Sequence, residues 1–216
     1  MPCSFERGIY LAGFDSQTHW GEIYSRSPES RLSWFDASAG ESLTPVMQLV
    51  PDRRARIVDV GGGTSRLADG LVEAGYEHVS VLDISDEALA ISKRRMGTRA
   101  AVVTWIRASV LEWASPEPLQ LWHDRAVFHF FTKAADRAAY VRSASRAVAQ
   151  GGFAVIEMFA PDGPASCSGL PVYRASPEAV AEEFAPGFEL MSYSRFEHRT
   201  PGGVVQRFQV LVLQRG

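Results

Sequence analysis

Cysteine is scarce: Cys3 and Cys167 are the only two in 216 residues. Two thiols so far apart offer neither the paired spacing of a metal site nor a disulfide framework. No stretch approaches the roughly 18 apolar residues that a membrane helix needs. The segment Met1 to Tyr10 carries charges and no long apolar run, so no signal peptide is expected. Excess charge of one sign is also missing. The net charge is −3 and the pI near 6.0, with arginines interleaved among acids as in Pro51-Asp52-Arg53-Arg54. That is not the electrostatic footprint of a nucleic-acid binder. The basic run Lys93-Arg94-Arg95 reads as a solvated helix end. Neither repeats nor low-complexity segments occur. The expectation is a cytoplasmic protein with no nucleic-acid or membrane partner and no bound metal. Its oligomeric state is not legible in the sequence.

Apolar residues make up 46% and charged residues 22%, an ordinary globular balance. The length suits one domain over 1–216, divided into an N-terminal lid or helical segment (1–50) and a core (51–216). Within the core, strand-length apolar runs alternate with helical patterns. Strands are expected at 57–60, 78–83, 101–106, 119–124 and 153–159. A helix from Ser65 to about Ala74 has Ser65 as N-cap, Leu67 and Leu71 on one face, and Gly75 as its stop. The helix opening at Ser85 has acids in its first turn, bases in its last, and ends at Gly97. A further helix is expected from about Ala134 to Ala149. Residues 161–171 read as a loop and about 176–184 as a helix. Strands 188–198 and 204–213 flank the hairpin signal Thr200-Pro201-Gly202-Gly203. The predicted fold is α/β: a Rossmann-like, seven-stranded, mostly parallel sheet with helices on both faces and a C-terminal antiparallel hairpin.

In such sheets ligands bind beyond the carboxyl ends of the strands. The first strand ends in Asp59-Val60-Gly61-Gly62-Gly63-Thr64-Ser65. Glycines there permit a tight turn and close approach of a ligand to the backbone. A dinucleotide fingerprint, Gly-x-Gly-x-x-Gly, is met at Gly61 and Gly63 but fails at Arg66, whose side chain would crowd helix–strand packing. No phosphate-binding Gly-Lys-Ser/Thr follows. The second strand ends in Asp83, 20 positions after Gly63. An acid there can accept both hydroxyls of a nucleoside ribose.

These residues resemble the class I S-adenosylmethionine (SAM)-dependent methyltransferase family, whose pattern is acid-x-Gly-x-Gly-x-Gly after the first strand and an acid after the second. Asp59, Gly61 and Gly63 match, with Ser65 at the last glycine position. The resemblance implies SAM as cofactor and S-adenosylhomocysteine as product. It makes Asp59, Gly61, Gly62, Gly63 and Ser65 the cofactor loop, with Asp59 near the methionine amino group. Asp83 becomes the ribose ligand, with Ile84 packed on adenine. Ser109 and Val110 follow the third strand, where the family often has an acid.

The fourth strand ends in Trp122-His123-Asp124-Arg125-Ala126. In the family this strand end faces the transferring methyl. His123 is the candidate general base and a cofactor contact, Asp124 its orienting partner, and Arg125 a grip for an anion. The segment is similar to Trp-Asp-Arg-Gly of thiopurine S-methyltransferase-like enzymes and to Asp-Lys-Gly of certain protein lysine methyltransferases, with Ala126 in place of the glycine. Trp20 and Tyr24 in His19-Trp20-Gly21-Glu22-Ile23-Tyr24, and Trp34 in Ser33-Trp34-Phe35, resemble pieces that precede the glycine loop in lysine methyltransferases and small bacterial methyltransferases. They would form an aromatic lid over a sulfonium, or staple the segment to the core. Cys167 lies in a loop bordering the acceptor. The leading expectation is methyl transfer to a small-molecule thiol, hydroxyl or amine. The alternatives are a protein lysine methyltransferase and a non-catalytic SAM-binding regulatory module.

Overall fold

The computed structural model describes residues 15–185 and 187–216. Cys3 and the first fourteen residues of the expected lid segment lie outside them. Two helices come first, α1 (Ser16–Arg26) and α2 (Gly40–Leu49). Then follow β1 (Arg56–Val60), α3 (Leu67–Glu73), β2 (His78–Asp83), α4 (Asp86–Met96), β3 (Val103–Arg107) and β4 (Leu119–Arg125). Next are α5 (Ala134–Ala147), β5 (Val148–Phe159), a small ribbon of β6 (Ser166–Cys167) and β7 (Leu170–Pro171), and α6 (Pro177–Phe184). β8 (Phe188–Arg199) and β9 (Val205–Arg215) close the chain as a hairpin. The main sheet has seven strands in the order β3-β2-β1-β4-β5-β9-β8. Its first five are parallel, and β9 runs antiparallel to both neighbours.

Strand periodicity sorts side chains between two layers. Ile57, Val79, Val81, Leu121 and Val155 meet Val46 of α2, Leu67 and Leu71 of α3, and Leu89 and Met96 of α4. Val58, Val60, Trp122, Ile156 and Leu211 meet Tyr140 and Ala144 of α5 and Val180 and Phe184 of α6. Helices therefore cover both faces, and the predicted fold holds.

Element boundaries differ from expectation for local reasons. The turn after β1 closes with Ser65 N–H on Gly62 O at 2.6 Å, so α3 starts at Leu67 rather than Ser65. Ser65 Oγ still accepts from Leu67 N–H at 3.0 Å. Residues 97–102 wind as a 3-10 turn, which delays β3 to Val103. β5 starts at Val148, ahead of the double glycine; Leu119 pairs with Val148 and Leu121 with Phe153, so Gly151-Gly152 forms a bulge rather than a start. The expected 161–171 loop holds the β6–β7 ribbon, turned by Ser168 (φ 53°) and Gly169 (φ 78°). Two positive φ values in succession suit a two-residue hairpin.

A buried charge cluster ties three central strands together. His123 of β4 is 1% exposed. Its Nδ1 lies 2.8 Å from Asp59 Oδ1 on β1, and its Nε2 3.3 Å from Glu157 Oε1 on β5. Ser42 of α2 donates to the same Glu157 oxygen at 2.9 Å. Burial alone pushes the imidazole pKa down, but hydrogen bonds to the two carboxylates, and their charges, outweigh it and hold the pKa at about 10. Burial likewise raises Glu157, but the hydrogen bond and charge of His123 outweigh it and bring the carboxyl below its ordinary value. The imidazolium donates from both nitrogens.

Two predictions follow from this part of the structure. An unfolded histidine titrates near 6.5, so the stability from the paired imidazolium is complete below that pH and fades as pH rises toward about 10. Replacing His123→Gln leaves two buried carboxylates facing each other and lowers the unfolding free energy by about 3–5 kcal/mol near pH ~6. Urea unfolding across pH checks this: the gap to the native chain narrows toward high pH, and a constant gap contradicts a charged His123. Beyond β4, Ala126 has φ 69°, a left-handed conformation that disfavours a Cβ. Ala126→Gly raises stability by about 0.5–1 kcal/mol, the relief of strain exceeding the added chain entropy; a loss of stability in the same unfolding assay contradicts it.

Candidate functional site

A cavity of about 630 Å³ runs along the carboxyl ends of the strands. Sheet order lays out its parts. Asp83, Ile84, Ser109 and Val110 line it where β2 and β3 end. Gly61, Arg125, Ala126 and Val127 line the middle, beyond β1 and β4. Phe159, Gln206 and Phe208 line the far end, beyond β5 and β9, with Cys167 of the ribbon beside them. Trp20, Tyr24 and Trp34 add an aromatic wall from the N-terminal segment.

The glycine loop is held in shape by α4. Arg95 donates to Thr64 O at 3.1 Å and Ser65 O at 2.6 Å, and pairs with Asp69 of α3 at 2.7 Å. It also reaches Glu29, beyond α1, at 3.0 Å. Ser92 Oγ donates to Gly63 O at 2.7 Å. Arg66 turns outward to Glu29 at 2.9 Å, so the expected crowding between helix and strand does not arise. Gly61 (φ 59°) and Gly63 (φ 40°) adopt left-handed backbone. A Cβ on Gly61 would lie 2.1 Å from Val127 Cγ2, and one on Gly63 2.7 Å from Tyr24 Oη. Side chains are thus excluded from the loop, and its backbone is open to close approach.

Asp83 is buried at the cavity edge. Its Oδ1 accepts the Ser85 N–H at 2.8 Å. Burial is the main cause that raises its pKa to about 6, opposed by hydrogen bonds from the Ser85 and Gly63 amides. A buried carboxylate there gains from hydroxyl donors such as a ribose diol. Trp20, Tyr24, Trp34, Gly61, Ile84, Ser109, Val110 and Arg125 also line the cavity. Asp59, Gly62, Gly63 and Ser65 are not among the residues that line the cavity. Asp59 turns into the sheet toward His123, away from the expected methionine amino group, and a Cβ on Gly62 would lie 2.7 Å from Asp59 Oδ2.

The expected catalytic trio separates. His123 does not face the cavity, and both its nitrogens are engaged by carboxylates, so the geometry gives no support for a general base or cofactor contact there. Asp124 is fully buried on the opposite face of β4. It accepts from Val127 N–H at 2.8 Å, from Phe128 N–H at 3.0 Å and from the Tyr140 hydroxyl. Trp122 Nε1 donates to that hydroxyl at 2.8 Å. Asp124 cannot orient His123 because neighbouring residues on a strand point to opposite faces. It fixes the turn after β4 instead. Arg125 alone reaches the cavity, donating to Trp34 O at 3.1 Å.

The N-terminal aromatics act both as wall and as staple. Trp20, Ile23, Tyr24 and Trp34 pack with Leu32 and with Ala88 and Ile91 of α4. His198 of β8 grips the Ser33 carbonyl at 2.8 Å, beside the Arg125 bond to Trp34. The cavity residues Phe130, Phe159, Gln206 and Phe208 carried no signal in the sequence. They come from a short turn and from antiparallel strands, where no loop motif marks them.

Residues 57–152 match the family of the methyltransferase domain. The CcbJ methyltransferase of Streptomyces caelestis shares the fold with TM-score 0.70 at 14% identity, over 94% of this chain and all of that one. A Burkholderia thailandensis 1,6-didemethyltoxoflavin-N1-methyltransferase, solved with its acceptor and S-adenosylhomocysteine, shares it with TM-score 0.69 at 19% identity over 94% of this chain and 92% of that one. A mouse eEF1A lysine and N-terminal methyltransferase is 20% identical over 104 residues, which is 48% of this chain and 15% of that protein. No helix among the described residues is long and apolar enough to cross a membrane. Over residues 57–152, then, this chain carries a methyltransferase domain, and its fold is the one that SAM-dependent methyltransferases share.

Proposed function

We propose that this enzyme methylates a small molecule held beyond β4, β5 and β9. One observation carries the reading: the cavity does not end where a nucleoside and methionine would fill it. It continues past Arg125 into a chamber walled by Phe130, Phe159, Cys167 and Phe208. Trp20 of the N-terminal segment meets Phe130 at its wall, and a concave aromatic site suits a compact acceptor better than a folded protein surface. Of the neighbours with this fold, the Burkholderia thailandensis enzyme is named for a small molecule, 1,6-didemethyltoxoflavin.

The residues divide the work by position. Asp83 accepts the ribose hydroxyls, Ile84 and Val110 flank the adenine, and Ser109 offers it a hydroxyl. The Gly61 backbone lies along the methionine, and Arg125 takes its carboxylate, a charge-assisted contact. SAM, when bound, supplies an electrophilic methyl on a sulfonium. Trp20, Tyr24 and Trp34 surround that cation with ring faces and keep water from it. The chain's main contribution to rate is alignment of the acceptor with the methyl. The partial likeness to the mouse protein favours a second reading, a protein lysine methyltransferase.

Two measurements test this account. Calorimetric titration with S-adenosylhomocysteine should show Asp83→Ala binding about 10- to 100-fold more weakly, the loss of hydrogen bonds to a charged group; an unchanged affinity removes Asp83 from the site. Incubation of the purified chain and methyl-labelled SAM with a cell extract should put label into the low-molecular-weight fraction. Label confined to protein overturns the small-molecule reading in favour of the second.

A further inference from the structure

The acceptor chamber has a definite chemistry, and, resting on the methyl-transfer reading above, that chemistry narrows the acceptor. Four aromatic rings contribute to its wall. Trp20 meets Phe130 edge to face with centroids 5.1 Å apart, and Phe159 meets Phe208 in the same way at 4.7 Å. Such a wall favours a flat, apolar guest. One polar group answers it. Gln206 on β9 is 9% exposed, lines the cavity, and makes no side-chain hydrogen bond among the described residues. An amide so placed offers an NH2 group as donor or its carbonyl oxygen as acceptor to a heteroatom of the guest.

No described side chain facing this end is suited to take a proton from an acceptor. His129 lies behind Phe130 and Phe159, fully buried, with its Nδ1 accepting the Phe159 N–H at 3.4 Å. His198, paired in register with Gln206, is engaged with the Ser33 carbonyl. Of the cavity's carboxylates and amines, Asp83 belongs to the ribose end, and Lys133 and Asp136 stand at the start of α5, which packs in the cluster of Val58 and Trp122 and not in that of Phe159 and Phe208. Cys167, among the described residues, sits in the wall with Phe159 and Phe208, and burial raises its thiol. An acceptor anion would meet the same desolvation, and aromatic faces repel negative charge while they attract positive charge.

We propose that the acceptor is a flat aromatic amine or nitrogen heterocycle that enters uncharged. Its nitrogen lone pair forms the new N–C bond to the methyl while the C–S bond breaks and that electron pair returns to sulfur, leaving S-adenosylhomocysteine. The positive charge passes from sulfur to nitrogen inside the aromatic wall. An amine then gives its proton to water; a ring nitrogen keeps its charge until release. A hydroxyl acceptor has no such route, since it must lose its proton before or during attack.

The test uses the full chain and three flat probes: quinoline, α-naphthylamine and its hydroxyl isostere α-naphthol. Calorimetry on the chain saturated with S-adenosylhomocysteine reads binding without turnover, and labelled SAM reads transfer. Quinoline and α-naphthylamine should bind and accept methyl, while α-naphthol accepts none at neutral pH. Phe208→Ala and Gln206→Leu should each weaken quinoline or α-naphthylamine by about tenfold or more and leave S-adenosylhomocysteine affinity unchanged. Methylation of α-naphthol at a rate matching its amine isostere, or no binding of either nitrogen probe to a chain that binds S-adenosylhomocysteine, overturns the proposal. Failure to bind S-adenosylhomocysteine at all is a different result, and overturns the cofactor assignments of Asp83 and the glycine loop on which it rests.

Discussion

Arg95 is the interaction on which the site depends most. One guanidinium holds the Thr64 and Ser65 carbonyls, the Asp69 carboxylate and the Glu29 carboxylate. The glycine loop, α3 and the N-terminal segment thereby share a single partly buried cation. Five donors in a rigid fork make arginine suited to this, and lysine could not reproduce it. The consequence is mechanical. A loop built from Gly61, Gly62 and Gly63 would be soft by itself; Arg95 and Ser92 fix its carbonyls, and Gly61 lines the cavity.

A second constraint works from inside the sheet. The Asp59–His123–Glu157 cluster joins β1, β4 and β5 below the site, and Ser42 links it to α2. Charges this deeply buried persist only when paired and hydrogen-bonded. The arrangement places a histidine at the position where a base was expected and uses it to hold strands in place. On the other face, Asp124 does the same for the turn after β4, which carries Ala126 and Phe130 to the cavity. Polar residues at a strand end thus divide by parity: odd and even positions serve opposite faces, and only Arg125 of the three reaches the ligand space.

The fold was legible because its signals are periodic and local. Alternating strand and helix patterns, the glycine loop, Asp83 and the hairpin at Thr200 each rest on neighbouring residues. The place of Gly61 and Asp83 on the cavity wall followed from the same signals, since a loop after β1 and an acid after β2 are fixed by topology. The acceptor half did not. Phe159, Gln206 and Phe208 become neighbours only through the antiparallel pairing of β5 with β9, more than forty residues apart in sequence. The partners of His123 were not legible: its spacing is right for chemistry, whereas its neighbours in the sheet, Asp59 and Glu157, are known only from register. Arg66 misled for a similar reason: its partner Glu29 lies across the fold.

The central claim is that the glycine loop and the N-terminal segment form one cofactor-binding unit through Arg95. Amide hydrogen exchange with and without S-adenosylhomocysteine tests it most directly. The account predicts that the ligand slows exchange in residues 61–66 and also in residues 16–34, and that Arg95→Met abolishes the second effect while the sheet strands keep their protection. Protection of the glycine loop with residues 16–34 unchanged in the native chain would contradict it.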